Sequence, residues 1–142
     1  DAGGYIDAWQ SSGSAVIVSN GQWGEKNTWL YDLNGRQIAG PYQSLSWAGT
    51  FDGTDYYFFD TFDTYRVEPS EQGRTGFYDE VPGSRRCGLM DQQGNVVIDA
   101  IYDSLYVIGD GLLKATMPEH YAVIDLHGNE IARFERYTEL ID

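Results

Sequence analysis

The chain has 142 residues, 42% of them hydrophobic and 15% aromatic, with 17 glycines, enough to build a core and too apolar for a disordered tail. Nine Lys and Arg stand against 22 Asp and Glu, a net charge of −13, so the attraction to phosphate that drives nucleic-acid binding would be a repulsion here. An anionic membrane surface is disfavoured for the same reason, and no apolar run approaches the ~20 residues of a spanning helix.

Read from its start, the chain opens on Asp1 without Met or leader pattern, as a mature or trimmed fragment would, and Tyr5-Ile6-Asp7 has the character of the worn end of a preceding unit. Ala15-Val16-Ile17-Val18 is a strand by composition, and Asn20-Gly21 after it is a hairpin signal. The segment 28–45, TWLYDLNGRQIAGPYQSL, then sets out a pattern that returns twice, in 87–105 (CGLMDQQGNVVIDAIYDSL) and in 121–140 (YAVIDLHGNEIARFERYTEL). Apolar residues run into an Asp (Asp32, Asp91, Asp125), two residues follow, and a Gly closes the group (Gly35, Gly94, Gly128). An Asp side chain accepts from amides a few residues on, and Gly takes positive φ without a Cβ clash, so Asp-x-x-Gly predicts a tight turn with a strand on either side. Each unit therefore reads as a hairpin with a tail. The tail has its own signature, Tyr42-Gln43-Ser44-Leu45 and Tyr102-Asp103-Ser104-Leu105, whose Tyr is expected on the hairpin's apolar face.

Between the first two units the spacing breaks. The turn Asp residues lie 59 positions apart (32 to 91) and then 34 (91 to 125), a surplus of 25 to be filled by a degenerate unit or an insertion over 51–84. The stretch 47–53 reads as a loop or short strand whose Asp52-Gly53 echoes Asp110-Gly111. Tyr56-Tyr57-Phe58-Phe59 and Thr64-Tyr65-Arg66-Val67 read as strands, and 68–84, with Pro69, Gly73, Gly76, Pro82 and Gly83, as a loop. Leu112-Leu113-Lys114-Ala115 stands where Ala15-Val16-Ile17-Val18 stood.

Asp91-Gln92-Gln93-Gly94, Tyr102-Asp103 and Asp110-Gly111-Leu112, in that order, resemble the WG-containing β-repeat of bacterial surface proteins, lipoproteins and uncharacterised proteins. The namesake dipeptide departs from that pattern: it is Thr28-Trp29, Cys87-Gly88 and Tyr121-Ala122 in the three units, while Trp23-Gly24 lies early, as after a small insertion. A shorter resemblance, to YD repeats, rests on Tyr31-Asp32-Leu33-Asn34-Gly35-Arg36 alone. The longer resemblance covers about two thirds of the chain. It implies a structural repeat without enzymatic activity and a location outside the cytoplasm.

Long irregular segments on a rigid scaffold are where binding usually lives. Within 51–84 the candidate ligand residues are Phe51, Asp55, Tyr57, Phe59, Asp60 and Asp63, since rings stack on sugar C–H faces while carboxylates take hydroxyl hydrogen bonds or hold Ca²⁺. The plain alternative is that alternate rings are core and the Asp residues face water. Four successive aromatics, 56–59, cannot all face one side of a strand, which leaves two for a patch or for cover by the 68–84 loop. A carboxylate glycosidase would need two acids across a cleft at ~5–10 Å, and Asp60 and Asp63, three apart on a strand, point to opposite faces. His127 falls at a turn tip and His120 in a connection, Cys87 reads as a small buried residue, and no metal motif or cofactor loop is present.

The expectation is an all-β protein of about three antiparallel hairpin units (near 15–45, 87–105 with a tail to 116, and 121–140) in one domain, closed as a barrel, packed as a sandwich or run on as a short solenoid. Its expected role is a non-catalytic extracytoplasmic module binding a protein or a glycan through 51–84. A ligand-free spacer and a glycoside hydrolase are the alternatives. Open sheet edges would also admit a homodimer.

Overall fold

The computed structural model describes residues 8–21 and 24–135, and it is all-β and antiparallel. Tyr5-Ile6-Asp7, Trp23 and the tail after Glu135 lie outside the described residues. Sheet I is a meander of β1 (Ala8–Ser12), β2 (Ala15–Ser19), β3 (Thr28–Asp32) and β4 (Gln37–Tyr42). Sheet II is built from β5 (Ser44–Phe51), β6 (Thr54–Thr61), β9 (Arg86–Asp91) and β10 (Val96–Tyr102), with a two-stranded ribbon, β7 (Thr64–Val67) and β8 (Phe77–Glu80), set between β6 and β9. Sheet III is a second meander of β11 (Ser104–Gly109), β12 (Leu112–Thr116), β13 (His120–Asp125) and β14 (Glu130–Glu135). Among the described residues none of the sheets closes on itself, so the layered arrangement, and not the barrel, is the one adopted there.

The three Asp-x-x-Gly turns are built alike. In each, one Asp carboxylate oxygen accepts two backbone N–H groups, from Asn34 and Arg36 (both 2.9 Å), Gln93 and Asn95 (2.9 and 3.0 Å), and His127 and Asn129 (2.8 and 2.9 Å). The Asp carbonyl accepts the Gly N–H at 3.0–3.1 Å, and the Gly stands at φ +85°, +85° and +81°. A side chain that satisfies two turn amides at once is what the local sequence supplies, and it fixes the third hairpin of each sheet. Asp52 and Gly53, both at positive φ, make the two-residue turn between β5 and β6. Asn20-Gly21 does not make such a turn; it opens a longer connection, 20–27, closed by the Asn20 N–H on the Asn27 carbonyl at 3.0 Å.

The unit is thus a four-stranded sheet, larger than a hairpin with a tail, because the tail continues into the next sheet. Gln43 and Asp103 are single residues between strands that belong to successive sheets, β4 to β5 and β10 to β11. The break in spacing also resolves differently. The stretch 47–53 is mostly strand β5 and the start of a full sheet, β6 pairs with β9 as if they were consecutive, and the insertion is 62–85, where sheet III has only 117–119. Phe77–Glu80, inside the segment read as loop, is strand β8.

Sheet II is the middle layer, buried on both faces. Tyr57, Phe59, Met90 and Leu45 pack with Ala15, Ile17 and Leu30 of sheet I. Cys87, Leu89, Ile98 and Tyr102 pack with Leu105, Leu113, Ala115, Ala122 and Ile124 of sheet III, and Tyr56 and Phe58 lie against that second cluster. The tail residue Tyr102 is in the core, as expected of it, and Leu105 is buried there too. Four successive aromatics in β6 therefore need no ligand to explain them: the strand alternates two rings into each of two interfaces. Each large side chain so buried contributes about 1.5–3 kcal/mol.

Candidate functional site

The six candidate residues divide among three places. Tyr57 has no accessible surface and Phe59 is 5% exposed, its ring 4.7 Å from that of Tyr42 across the interface with sheet I. Neither can touch a ligand in the folded chain, which corrects the reading of them as a binding pair. Phe51 is half-buried, with its ring 6.0 Å from that of Tyr56.

Asp55 shares the face of Tyr57 and Phe59, and it does not look to water. It is 8% exposed, accepts the Ser14 N–H at 2.8 Å and the Thr50 hydroxyl, and its own N–H donates to Gln92 Oε1 at 2.9 Å. The Thr50 hydrogen bond, with further bonds from Ser14 and Trp47, holds its carboxyl below the ordinary value against the opposing effect of burial.

Asp60 is committed to Arg85. The guanidinium reaches Asp60 Oδ2 at 2.8 Å and Glu80 at 2.6 and 3.0 Å, while its central carbon lies 4.5 Å from the centre of the Phe62 ring. Glu80 first, then Asp60, raise the pKa of Arg85 above its already high ordinary value. One side chain thereby ties β6, the ribbon and the buried Phe62 together. The amide of Gln43 closes the other side, donating to the Phe62 carbonyl at 2.5 Å and accepting the Phe62 N–H at 3.2 Å.

Asp63 is exposed at the root of the ribbon. Its N–H donates to Ser84 Oγ at 3.0 Å and its carbonyl accepts the Val81 N–H at 2.8 Å, so the two ends of the insertion are sewn to each other. Beyond that root the ribbon carries exposed rings that are not among the six candidates. Tyr65, Phe77 and Tyr78 are 46%, 42% and 38% exposed, Arg66 lies 5.4 Å over the Tyr78 ring, and the Tyr65 hydroxyl reaches Asp79 at 3.4 Å. A cleft of about 380 Å³ runs beside it, between Lys26, Thr64 and Tyr78. The available signal was Phe77-Tyr78-Asp79-Glu80 inside the supposed loop, a strand-like run between turn residues.

Cys87 is buried, and its pKa is raised by that burial and then by the neighbouring Asp60. His120 is not a solvated turn residue: it opens β13, and its Nε2 is shielded from solvent with no hydrogen-bond partner among the described residues. Among the described residues no three His, Cys, Asp or Glu side chains gather as a metal site, and no helix is long and apolar enough to cross a membrane. No protein-family model, curated protein or solved structure matches the chain.

Proposed function

We propose that this chain is a non-catalytic interaction module whose ligand, a protein or a glycan, is held by the β7–β8 ribbon. The observation that carries the reading is the grafting of an aromatic ribbon onto a sheet whose own pairing it leaves intact, with Tyr65, Phe77 and Tyr78 turned outward. Side chains that a scaffold neither needs for its core nor covers are free to serve recognition. A protein is favoured over a glycan, because Phe77 offers no hydroxyl and each ribbon strand has one edge outside its pairing with the other. The resemblance to repeats of bacterial surface proteins supports an extracytoplasmic setting. Asp60, tied to Arg85, and Asp63, at the root of the ribbon, do not favour the glycosidase alternative.

The test is a surface pull-down and a glycan array with the wild-type chain and with a Tyr65→Ser, Phe77→Ser double variant. Binding lost in a variant whose melting is unchanged supports the reading, and the assay that responds tells protein from glycan. Absence of any ligand, or a ligand retained by the variant, moves the weight to a structural spacer.

A further inference from the structure

Strand register gives the three sheets equivalent positions. On the side of sheet II that sheet III covers, Phe58 pairs with Leu89 and Tyr102 with Cys87. On the side of sheet I that sheet II covers, the corresponding pairs are Ile17 with Leu30 and Tyr42 with Thr28. In sheet III the same positions are Lys114 with Val123 and Phe134 with Tyr121, on the side turned away from sheet II. Two of these three faces are closed by the next sheet, leaving Leu30 and Leu89 without accessible surface and Tyr102 at 8%. The third holds a groove of about 510 Å³, with Tyr106, Ile108 and Phe134 exposed by 68%, 49% and 39% and the Lys114 ammonium 4.4 Å over the Tyr121 ring.

The opposite side follows the same rule. Tyr57 with Met90 in sheet II, and Leu113 with Ile124 in sheet III, are the pairs that press onto the preceding sheet. Their equivalent in sheet I is Val16 with Tyr31, on the face away from sheet II. One end of the stack is therefore built to receive a sheet, and the other carries the positions that are received.

We infer that the outer face of sheet III is a stacking interface for a second copy of this chain, which docks through the outer face of its sheet I. This interface continues the two inside the chain and does not involve the ribbon. Such a contact is heterologous and does not close, so it propagates the stack head to tail. It places the interface on the sheet faces, where the sequence had suggested sheet edges.

Sedimentation from about 1 μM to about 1 mM, the range of weak association, tests this. The weight-average mass is expected to rise to at least twice the 16.0 kDa of the chain. Tyr106→Glu with Ile108→Glu is expected to hold the chain at monomer mass with unchanged melting, while the Tyr65→Ser, Phe77→Ser ribbon variant associates like wild type. Mixing the sheet III variant with Tyr31→Glu should yield dimers and nothing larger, since each partner keeps one working end. A wild-type chain that stays monomeric throughout, association that survives Tyr106→Glu with Ile108→Glu, or a mixture that gives no dimer overturns the inference.

Discussion

The backbone N–H of Ser14, in the turn between β1 and β2, donates to the carboxylate of Asp55 at 2.8 Å, across 41 positions of sequence and from one sheet to the next. Gly13 makes the approach feasible. A Cβ there would stand 2.6 Å from an Asp55 carboxylate oxygen, and the turn needs φ +64°. A buried acid thus locks the edge of sheet I onto sheet II, in a position where its neighbours on the same face are core rings.

Asp55 makes the stability of the chain depend on pH. Its hydrogen bonds lower the folded pKa, so the unfolded chain takes up the proton first as pH falls. The stabilisation is complete above the unfolded value, near 4, and is lost as pH descends through the folded one. Asp55→Asn should cost about 1–3 kcal/mol at pH 7, as expected for an impaired buried hydrogen-bond set, and the gap should narrow in acid. Urea unfolding at pH 7 and pH 3 checks this, and parallel pH profiles for variant and wild type would contradict it.

What could be read from the sequence was what neighbouring residues decide. The Asp32, Asp91 and Asp125 turns, the strand at 15–18 and the equivalence of Asp52-Gly53 with Asp110-Gly111 all rest on contacts a few residues long. The pairing of β6 with β9, and so the true bounds of the insertion, rests on partners such as Phe58 and Leu89, whose meeting no local pattern announces. Tyr57 and Phe59 stood among the ligand candidates for the same reason: which face of their strand is covered, and by what, is decided by sheets I and III and not by neighbouring residues. Asp63 and the nearby ribbon were within the span read as a binding region, but the rings that face solvent there are Tyr65, Phe77 and Tyr78.

Tyr57→Ala provides the direct contrast with the ribbon variants. Removing a ring with no accessible surface from the sheet I–sheet II core should cost about 3–5 kcal/mol, and Phe59→Ala a similar amount. Thermal or denaturant unfolding would show both as folding defects. A variant with wild-type stability would mean that these rings are not core.

Gly88 makes a sharper steric case. A Cβ at this position of β9 would strike the Phe59 ring and come within 2.7 Å of the Ile98 carbonyl oxygen, with no strained φ to share the blame. Gly88→Ala should destabilise by about 1–3 kcal/mol through overpacking. Phe59→Leu, which withdraws the ring, should recover part of that loss, so the double variant is expected to be more stable than the sum of the singles predicts. Strict additivity in a double-mutant cycle would show that the ring is not the obstacle.

Arg85 is expected to hold the ribbon and little else. Its partners Asp60 and Glu80 are partly exposed, which limits what the ion pairs add to global stability, but they join the ribbon to β6. Arg85→Met keeps bulk over Phe62 and removes the bonds. Amide exchange within 64–67 and 77–80 should then quicken by about tenfold while β12 and β13 keep their protection. Uniform loss of protection in both regions would assign Arg85 to the fold as a whole.

Cys87 reports on the other interface. Its thiol lies in the core between sheets II and III, and burial followed by the Asp60 carboxylate keeps it protonated well beyond the ordinary thiol range. The thiolate is the nucleophile, so alkylation at pH 8 should be slower in the folded chain than in urea by about a thousandfold or more. Reaction then requires β9 to part from sheet III, and its rate should rise when Leu113→Ala weakens the facing layer, in proportion to the loss of stability. Rapid labelling of the folded chain, insensitive to Leu113→Ala, would mean that the thiol is reached without opening that interface.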